Sequence, residues 1–413
     1  MRVRAALAAL LATALAACTA APTLEPTPTR TAREATPSPS ASPNPAGVLP
    51  DGWDEATVLE TSQASGVTAG SELRVDLTVD SSPVGGVAAL AQIPTLLPSG
   101  QIVVIEAPVG SDSPAQVALY GPGGDRESLA RWPDDGTWRQ APYAEATDER
   151  VAVMETASTD LLTLDWRIVS AATDGSTAEV IADWSDWTSE PPPLVGAEVL
   201  PSVGDDFVAW NAPLPSDGQG WRGSGFDQQV LVFGADGETR VLEGRAAVHA
   251  ASGQYLYVAH DPLFDPDVPI GTYAITRVDP TGGGPEEVVA AGPLTSAGRV
   301  SDVAADGDAV AWVVSDGSRA AIYLIDGARR VVIHAPDPAG SARMSLSGGR
   351  LAWGEGSAGA DGGTYLLDRD DTLWRLATSP GRSEASVAGD WVAWAQVAED
   401  GRSSAVQVAR WLR

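Results

Sequence analysis

Short apolar runs of four to eight residues, broken by Gly, Asp and Asn, fill the chain from about residue 70 to its end. Runs of that length bounded by turn residues are strands rather than helices. Val208-Ala209-Trp210, Val310-Ala311-Trp312, Leu351-Ala352-Trp353 and Val392-Ala393-Trp394 share one pattern, with Gly204-Asp205-Asp206, Gly307-Asp308, Gly349-Arg350 and Gly389-Asp390 just before. From Trp312 to Trp353 to Trp394 the spacing is 41 residues each time. Weaker copies begin at Gly100, Glu149 and Gly253, which makes seven at intervals of 41 to about 57 residues.

A second element follows each copy. Ala321-Ile322-Tyr323-Leu324-Ile325 leads through Asp326-Gly327 into Arg330-Val331-Val332-Ile333, and Val230-Leu231-Val232-Phe233 leads through Asp236-Gly237 into Arg240-Val241-Leu242. Asp-Gly between β-rich runs is a hairpin signal, because such a turn needs positive φ. A short apolar run, such as Val300-Ser301-Asp302-Val303, precedes each Gly-Asp turn. The unit is four antiparallel strands, which is a propeller blade. Side chains alternate across a strand. Val310, Trp312 and Val314 therefore share one face, and Ala309, Ala311 and Val313 the other. Both faces are apolar, as a strand buried between neighbouring blades requires. The predicted fold is an all-β propeller of four-stranded antiparallel blades, seven preferred and six possible. The last unit, from Ala385 to Ala409, lacks a fourth strand. Glu72 to Val79 alternates cleanly, so a strand over about residues 71–80 is expected to close the ring as the outer strand of the last blade.

The Gly-Asp-φ-Ala-Trp pattern, followed by Ile-Tyr-Leu-φ-Asp, resembles TolB-like propeller repeats over about residues 90–413, most clearly from Gly307 to Val332. The Ser-Pro-Asp-Gly turn common in that family is absent, and seven units stand where six are usual. The resemblance implies a propeller in the cell envelope and brings no catalytic residues with it, since fold likeness transfers function poorly.

The first residues read as an address. Arg2 and Arg4 precede an apolar run from Ala5 to Ala17, which is too short to span a bilayer and ends in Leu15-Ala16-Ala17-Cys18. This looks like a bacterial lipobox, with residues 1–18 the signal and Cys18 the lipidated residue. Residues 19–50 hold Pro22, Pro26, Pro28, Pro37, Pro39, Pro43 and Pro45 among Thr, Ser and Ala, and read as an extended tether. Residues 51–413 form the propeller. The expected location is extracytoplasmic, with the chain anchored to the membrane through Cys18.

Composition narrows the partners. The chain has 413 residues, with 55 acidic against 26 basic side chains, no lysine and a formal net charge of −29. A phosphate backbone would be repelled, which excludes nucleic acid. One cysteine excludes a disulfide framework. No cofactor or metal is implied. His249 and His334 lie in apolar strands and read as structural, and the loop from His260 to Asp267 is too sparse in oxygens for calcium. A monomer is expected.

No nucleophile motif, phosphate loop or metal spacing stands out, so no catalytic residue is assigned. The candidate ligand-binding residues are Trp132, Trp138, Trp184, Trp187 and Trp221, which lie in or beside connections and can either grip a sugar or peptide or cap blade edges. The leading expectation is a non-catalytic binding or scaffold protein for an envelope protein or polymer. The alternative is an envelope glycan or peptide hydrolase or lyase with its site on the propeller face. Titratable groups converging at the central channel favour the enzyme, and a flat aromatic patch favours the binder.

Overall fold

The structure, a computed structural model, describes residues 49–413 apart from 51, 68–69, 81–86, 90–94, 109–115, 130–135, 138, 158–162, 193–198, 216–225, 243–245, 247, 264–266, 281–283, 317–318, 336–342, 356–361, 380–383 and 398–403. The expected signal, the lipidated Cys18 and nearly all of the tether lie outside the described residues.

Seven antiparallel sheets follow one another along the chain. Blade 1 is Val87–Ala89 and Thr95–Leu96, both paired to Ile102–Pro108, then Gln116–Tyr120 and Arg126–Ser128. Blade 2 is Gln140–Ala146, Arg150–Thr156, Trp166–Ala172 and Ala178–Asp183. Blade 3 is Pro201–Val203, Val208–Pro215, Phe226–Phe233 and Thr239–Val241. Blade 4 is Val248–Ser252, Tyr255–His260, Thr272–Val278 and Glu287–Pro293. Blade 5 is Arg299–Asp306, Ala309–Ser315, Ala320–Asp326 and Arg329–Ala335. Blade 6 is Ser345–Ser347, Arg350–Glu355, Gly362–Leu367 and Leu373–Ser379. Blade 7 is Ala385–Ala388, Trp391–Val397, Ser404–Trp411 and, from the other end of the chain, Leu73–Asp80. Each inner strand touches the inner strand of the next blade, and that of blade 7 touches Thr95–Leu96 of blade 1. The ring is closed, with seven blades.

The closing strand runs where its alternation predicts it, pairing Leu73 with Trp411 and Asp80 with Ala405. The segment before it does more than the sequence disclosed. Thr57–Glu60 adds a fifth, parallel strand to the outer edge of blade 5, and Ser65–Gly66 does the same on blade 6. Residues 53–80 thus strap three consecutive blades before the ring closes. Trp53 seats the strap: it is 5% exposed and meets Trp312 and Tyr323 edge-on at 5.7 and 5.4 Å.

The two apolar faces of each Val-Ala-Trp strand enter two different cores. Val310, Trp312 and Val314 pack with Tyr257, Tyr273 and Ile275 of blade 4. Ala311 and Val313 pack against blade 6, whose Trp353 fills the same core. The pattern repeats, with Trp394 turned to blade 6 and Ala393 to blade 1. At these interfaces large residues therefore face the preceding blade and small ones receive the tryptophan of the next. Gly237 and Gly327 carry φ of 78° and 58°, so the two Asp-Gly hairpins adopt the positive-φ turn that their sequences call for. Polar bonds tie neighbouring blades in the same rhythm: Ser252 Oγ accepts from Gly307 N at 2.7 Å, and Ser347 Oγ from Gly389 N at 3.0 Å.

Candidate active site in the central channel

Propeller closure leaves a cavity on the ring axis, and here it is small and polar. Its volume is about 100 Å³. Inner-strand residues of all seven blades line it, among them Thr95, Glu145, Ser202, His249, Ala304, Ser345 and Ser386. Small Ala side chains at 250, 251, 304, 305 and 385 keep the axis open, while the polar positions face one another across it.

Ser202 of blade 3 and His249 of blade 4 form one pair, with Ser202 Oγ 2.9 Å from His249 Nδ1. Both are buried, at 3% and 8% exposure. His249 Nε2 is buried without a hydrogen-bond partner among the described residues. Burial first, and then the charge of Arg343, press the His249 pKa down to about 3, and the Leu200 backbone offsets only part of this. The imidazole is therefore neutral at physiological pH.

Arg343 enters just before the inner strand of blade 6 and reaches to blades 2 and 3. It donates to the carbonyls of Pro201 at 2.9 Å and Ala144 at 3.3 Å, and it pairs with Glu145 at 3.2 Å. Asp302, on the inner strand of blade 5, accepts from the backbone N–H groups of Val303 at 2.9 Å and Met344 at 2.5 Å. Burial nevertheless raises Asp302 to about 6 against the pull of those donors and of Arg343, and Glu145 adds to the rise. Burial raises Glu145 as well, against the attraction of Arg343. Its side chain stays 36% open, in contact with the channel though enclosed by the ring. Elsewhere on the ring, Thr95 Oγ1 donates to Ala144 O at 2.9 Å, and Ser345 Oγ donates to Val387 O at 3.0 Å. These contacts stitch adjacent inner strands and hold the lining rigid.

The tryptophan candidates lie elsewhere. Trp184 and Trp187 are half-buried at the outer edge of blade 2, against the core shared with blade 3, and Trp184 Nε1 donates to Asp165 at 2.9 Å. Trp132, Trp138 and Trp221 are outside the described residues. Among the described residues no three His, Cys, Asp or Glu side chains come together to hold a metal ion. His260 pairs with Glu286 at 3.1 Å and Thr276 at 3.0 Å, and Asp261 accepts from the backbone of Val300 and Leu263.

No family model matches the sequence, and no curated protein matches it. Solved structures do match in fold. An oligogalacturonate lyase in complex with manganese is similar at 12% identity and a TM-score of 0.50, over 85% of this chain and 99% of that one. A prolyl endopeptidase is similar at 13% identity and 0.48, over 79% of this chain and 50% of that one. A puromycin-hydrolyzing peptidase of Mycobacterium tuberculosis is similar at 15% identity and 0.46, over 87% and 56%. The chain spans about half the length of the peptidases it matches. Identity at this level carries the fold and not the substrates.

One expectation is corrected here. A non-catalytic scaffold was favoured because no catalytic grouping is visible in the sequence. The similar structures are enzymes, and the match to the lyase takes in nearly that whole chain, so a propeller of this extent does not imply a passive one. Polar and titratable side chains do meet around the channel, brought there from inner-strand regions that the sequence keeps far apart.

Proposed function

We propose that the chain is an extracytoplasmic hydrolase that opens an amide or ester bond in a cell-envelope peptide. The reaction lies in the central channel, and lipidated Cys18 holds the protein at the membrane. The observation that carries this reading is the 2.9 Å contact of Ser202 Oγ with His249 Nδ1 in a polar cavity shared with Arg343. A hydroxyl at hydrogen-bond distance from a neutral imidazole is the arrangement that nucleophilic acyl transfer needs. Ser202 Oγ attacks the acyl carbon while its proton passes to His249 Nδ1. Arg343 faces the oxyanion that forms. The leaving amine or alcohol departs with the proton from His249, and water then cleaves the acyl-serine ester by the same relay and restores both residues.

Burial and Arg343 disfavour the imidazolium that this relay needs, so a low kcat is expected. The Gly-Asp-φ-Ala-Trp repeats support a place among TolB-like propellers, and Leu15-Ala16-Ala17-Cys18 supports export as a lipoprotein.

Turnover of short amino-terminally free peptide amides and esters tests the reading, with labelling by an aryl phosphonate followed by peptide mapping. Ser202→Ala is expected to cut kcat at least a hundredfold and to abolish labelling, with an unchanged melting temperature. Full activity in that variant, or cleavage of glycan fragments in place of acyl substrates, overturns it.

A further inference from the structure

A second hollow lies away from the channel, in the groove between blades 3 and 4 on the face that carries the hairpin turns. Its volume is about 450 Å³. Two turns of blade 3, at 204–206 and 234–236, and two of blade 4, at 253–254 and 279–280, surround it. Phe207 and Val232, 4% and 1% exposed, form its floor with the buried Pro280. Gly204 makes room for that floor, since a Cβ there would meet the Phe207 ring at 2.1 Å. Tyr255 forms one wall and is 41% exposed. The Arg277 guanidinium lies over its ring at 4.7 Å and is itself fixed by Glu287 at 2.6 Å and by Asp308. Arg277 does not line the groove, so the ring meets the groove with the side that Arg277 leaves open.

The rim mixes donors and acceptors. Arg240 is paired with Asp236, while the Asp206 carboxylate and the Gln254 amide have no side-chain partner among the described residues. Asp279 adds a third carboxylate. Three aspartates against one arginine leave a surplus of two negative charges, which disfavours an anionic ligand. The carboxylates are spread over three turns, and among the described residues no three acidic or His side chains gather as a bound cation would need.

We infer that this groove binds a neutral pyranose ring, one unit of an uncharged glycan. A pyranose has an apolar C–H face and, around its edge, hydroxyls that each donate and accept. The apolar floor and the Tyr255 ring match the face. The dispersed carboxylates, amide and guanidinium match the edge, with charge-assisted bonds from sugar hydroxyls to Asp206. A cavity of about 150 Å³ holds benzene, with six heavy atoms, so 450 Å³ takes about 18. That is room for one N-acetylhexosamine, about 15 heavy atoms, with the next unit leading out along the groove. The groove shares no lining residue with the channel, so the inference stands apart from the hydrolase reading. Its role is retention: a sugar held here keeps the protein on a polymer without entering the channel.

The test is a saturation-transfer NMR titration of the full chain with cellobiose, maltose and N,N′-diacetylchitobiose, with digalacturonate and arginine amide as charged controls. At least one neutral disaccharide is expected to saturate with a Kd of about 1 mM, with digalacturonate roughly tenfold weaker and no displacement by arginine amide. Tyr255→Ala is expected to keep the wild-type melting temperature and to weaken binding about tenfold. If that variant does not fold, Gln254→Ala is expected to weaken binding about fivefold. Ser202→Ala binds the sugar as wild type does whether or not it loses turnover, which keeps the two readings distinguishable. No saturation by any neutral disaccharide up to about 20 mM, tighter binding of digalacturonate, displacement by arginine amide, or wild-type binding in either folded groove variant overturns the inference.

Discussion

His249 and Asp302 are both pushed toward neutrality by burial, and their effects on stability run in opposite directions. Between about pH 3 and 6.5 the unfolded chain protonates His249 and the folded chain does not. That difference destabilises the protein progressively as pH falls below 6.5. Between the ordinary aspartate value and about 6 the folded chain holds a proton on Asp302 that the unfolded chain has lost, so this group stabilises the protein as pH falls. The two partly cancel in wild type. His249→Gln keeps a polar partner for Ser202 and removes only the first effect. At about pH 4.5 the ceiling on that effect is roughly 3 kcal/mol. The variant's melting temperature, set against wild type, is therefore expected to gain several degrees on going from about pH 7.5 to 4.5. Parallel curves for the two proteins refute this. Because His249 is neutral well below 6.5, kcat is expected to stay flat on acidification. An acid limb on kcat near 6.5 would mean that His249 titrates as an exposed imidazole and overturn this expectation.

At the scale of the element, the strap and the closing strand do different work. Leu73–Asp80 completes blade 7 with a full antiparallel ladder and covers the edge of Ser404–Trp411. Without it that edge is open for pairing with another chain. Deleting residues 71–80 is expected to lower the melting temperature sharply and to produce concentration-dependent aggregation, followed by light scattering. The parallel strands at Thr57–Glu60 and Ser65–Gly66 only add to blades that are already four-stranded. The hold of Thr57–Glu60 on blade 5 depends on Trp53, buried against Trp312 and Tyr323. Trp53→Ala should cost about 3 kcal/mol or more, as for a large aromatic lost from a core. Amide exchange at Thr57–Glu60 should then speed up while that of Ala309–Ser315 stays slow. Equal acceleration in both segments would mean that strap and blade unfold as one unit.

The whole molecule explains which features were readable in advance. Blades were legible because the second strands are buried on both faces and so read as apolar runs, most clearly where Trp falls on one side and Ala on the other, as at Ala311-Trp312 and Ala352-Trp353. The closing strand was legible because eight alternating residues had no other place. Thr57–Glu60 was not, because four residues on a parallel outer edge are half exposed and carry no period. The channel was hidden for a topological reason: Glu145, Ser202, His249, Asp302 and Arg343 each come from a different inner-strand region, and only ring closure makes them neighbours. The one local sign was a polar residue interrupting a short inner strand, as Asp302 does between Val300 and Val303. Charge is a further property of the whole chain. With 55 acidic against 26 basic side chains, the folded protein repels itself, and compaction brings those charges within a screening length of one another. Raising sodium chloride from about 0.02 to 0.5 M shortens that length from roughly 20 Å to about 4 Å and relieves the repulsion. The melting temperature is expected to rise by a few degrees, most of it below about 0.15 M, and potassium chloride should act equally. A fall with salt would mean that ion pairs such as Arg350–Asp368 within blade 6 and Arg329–Asp371 between blades 5 and 6 outweigh the net charge. Arg350 is 2% exposed and bonds to blade 7 at Gly389 and Asp390, so it is shielded from salt and should keep its contribution throughout. Arg350→Met separates the two terms: the variant melts lower at every salt concentration, and its rise with salt has the wild-type slope.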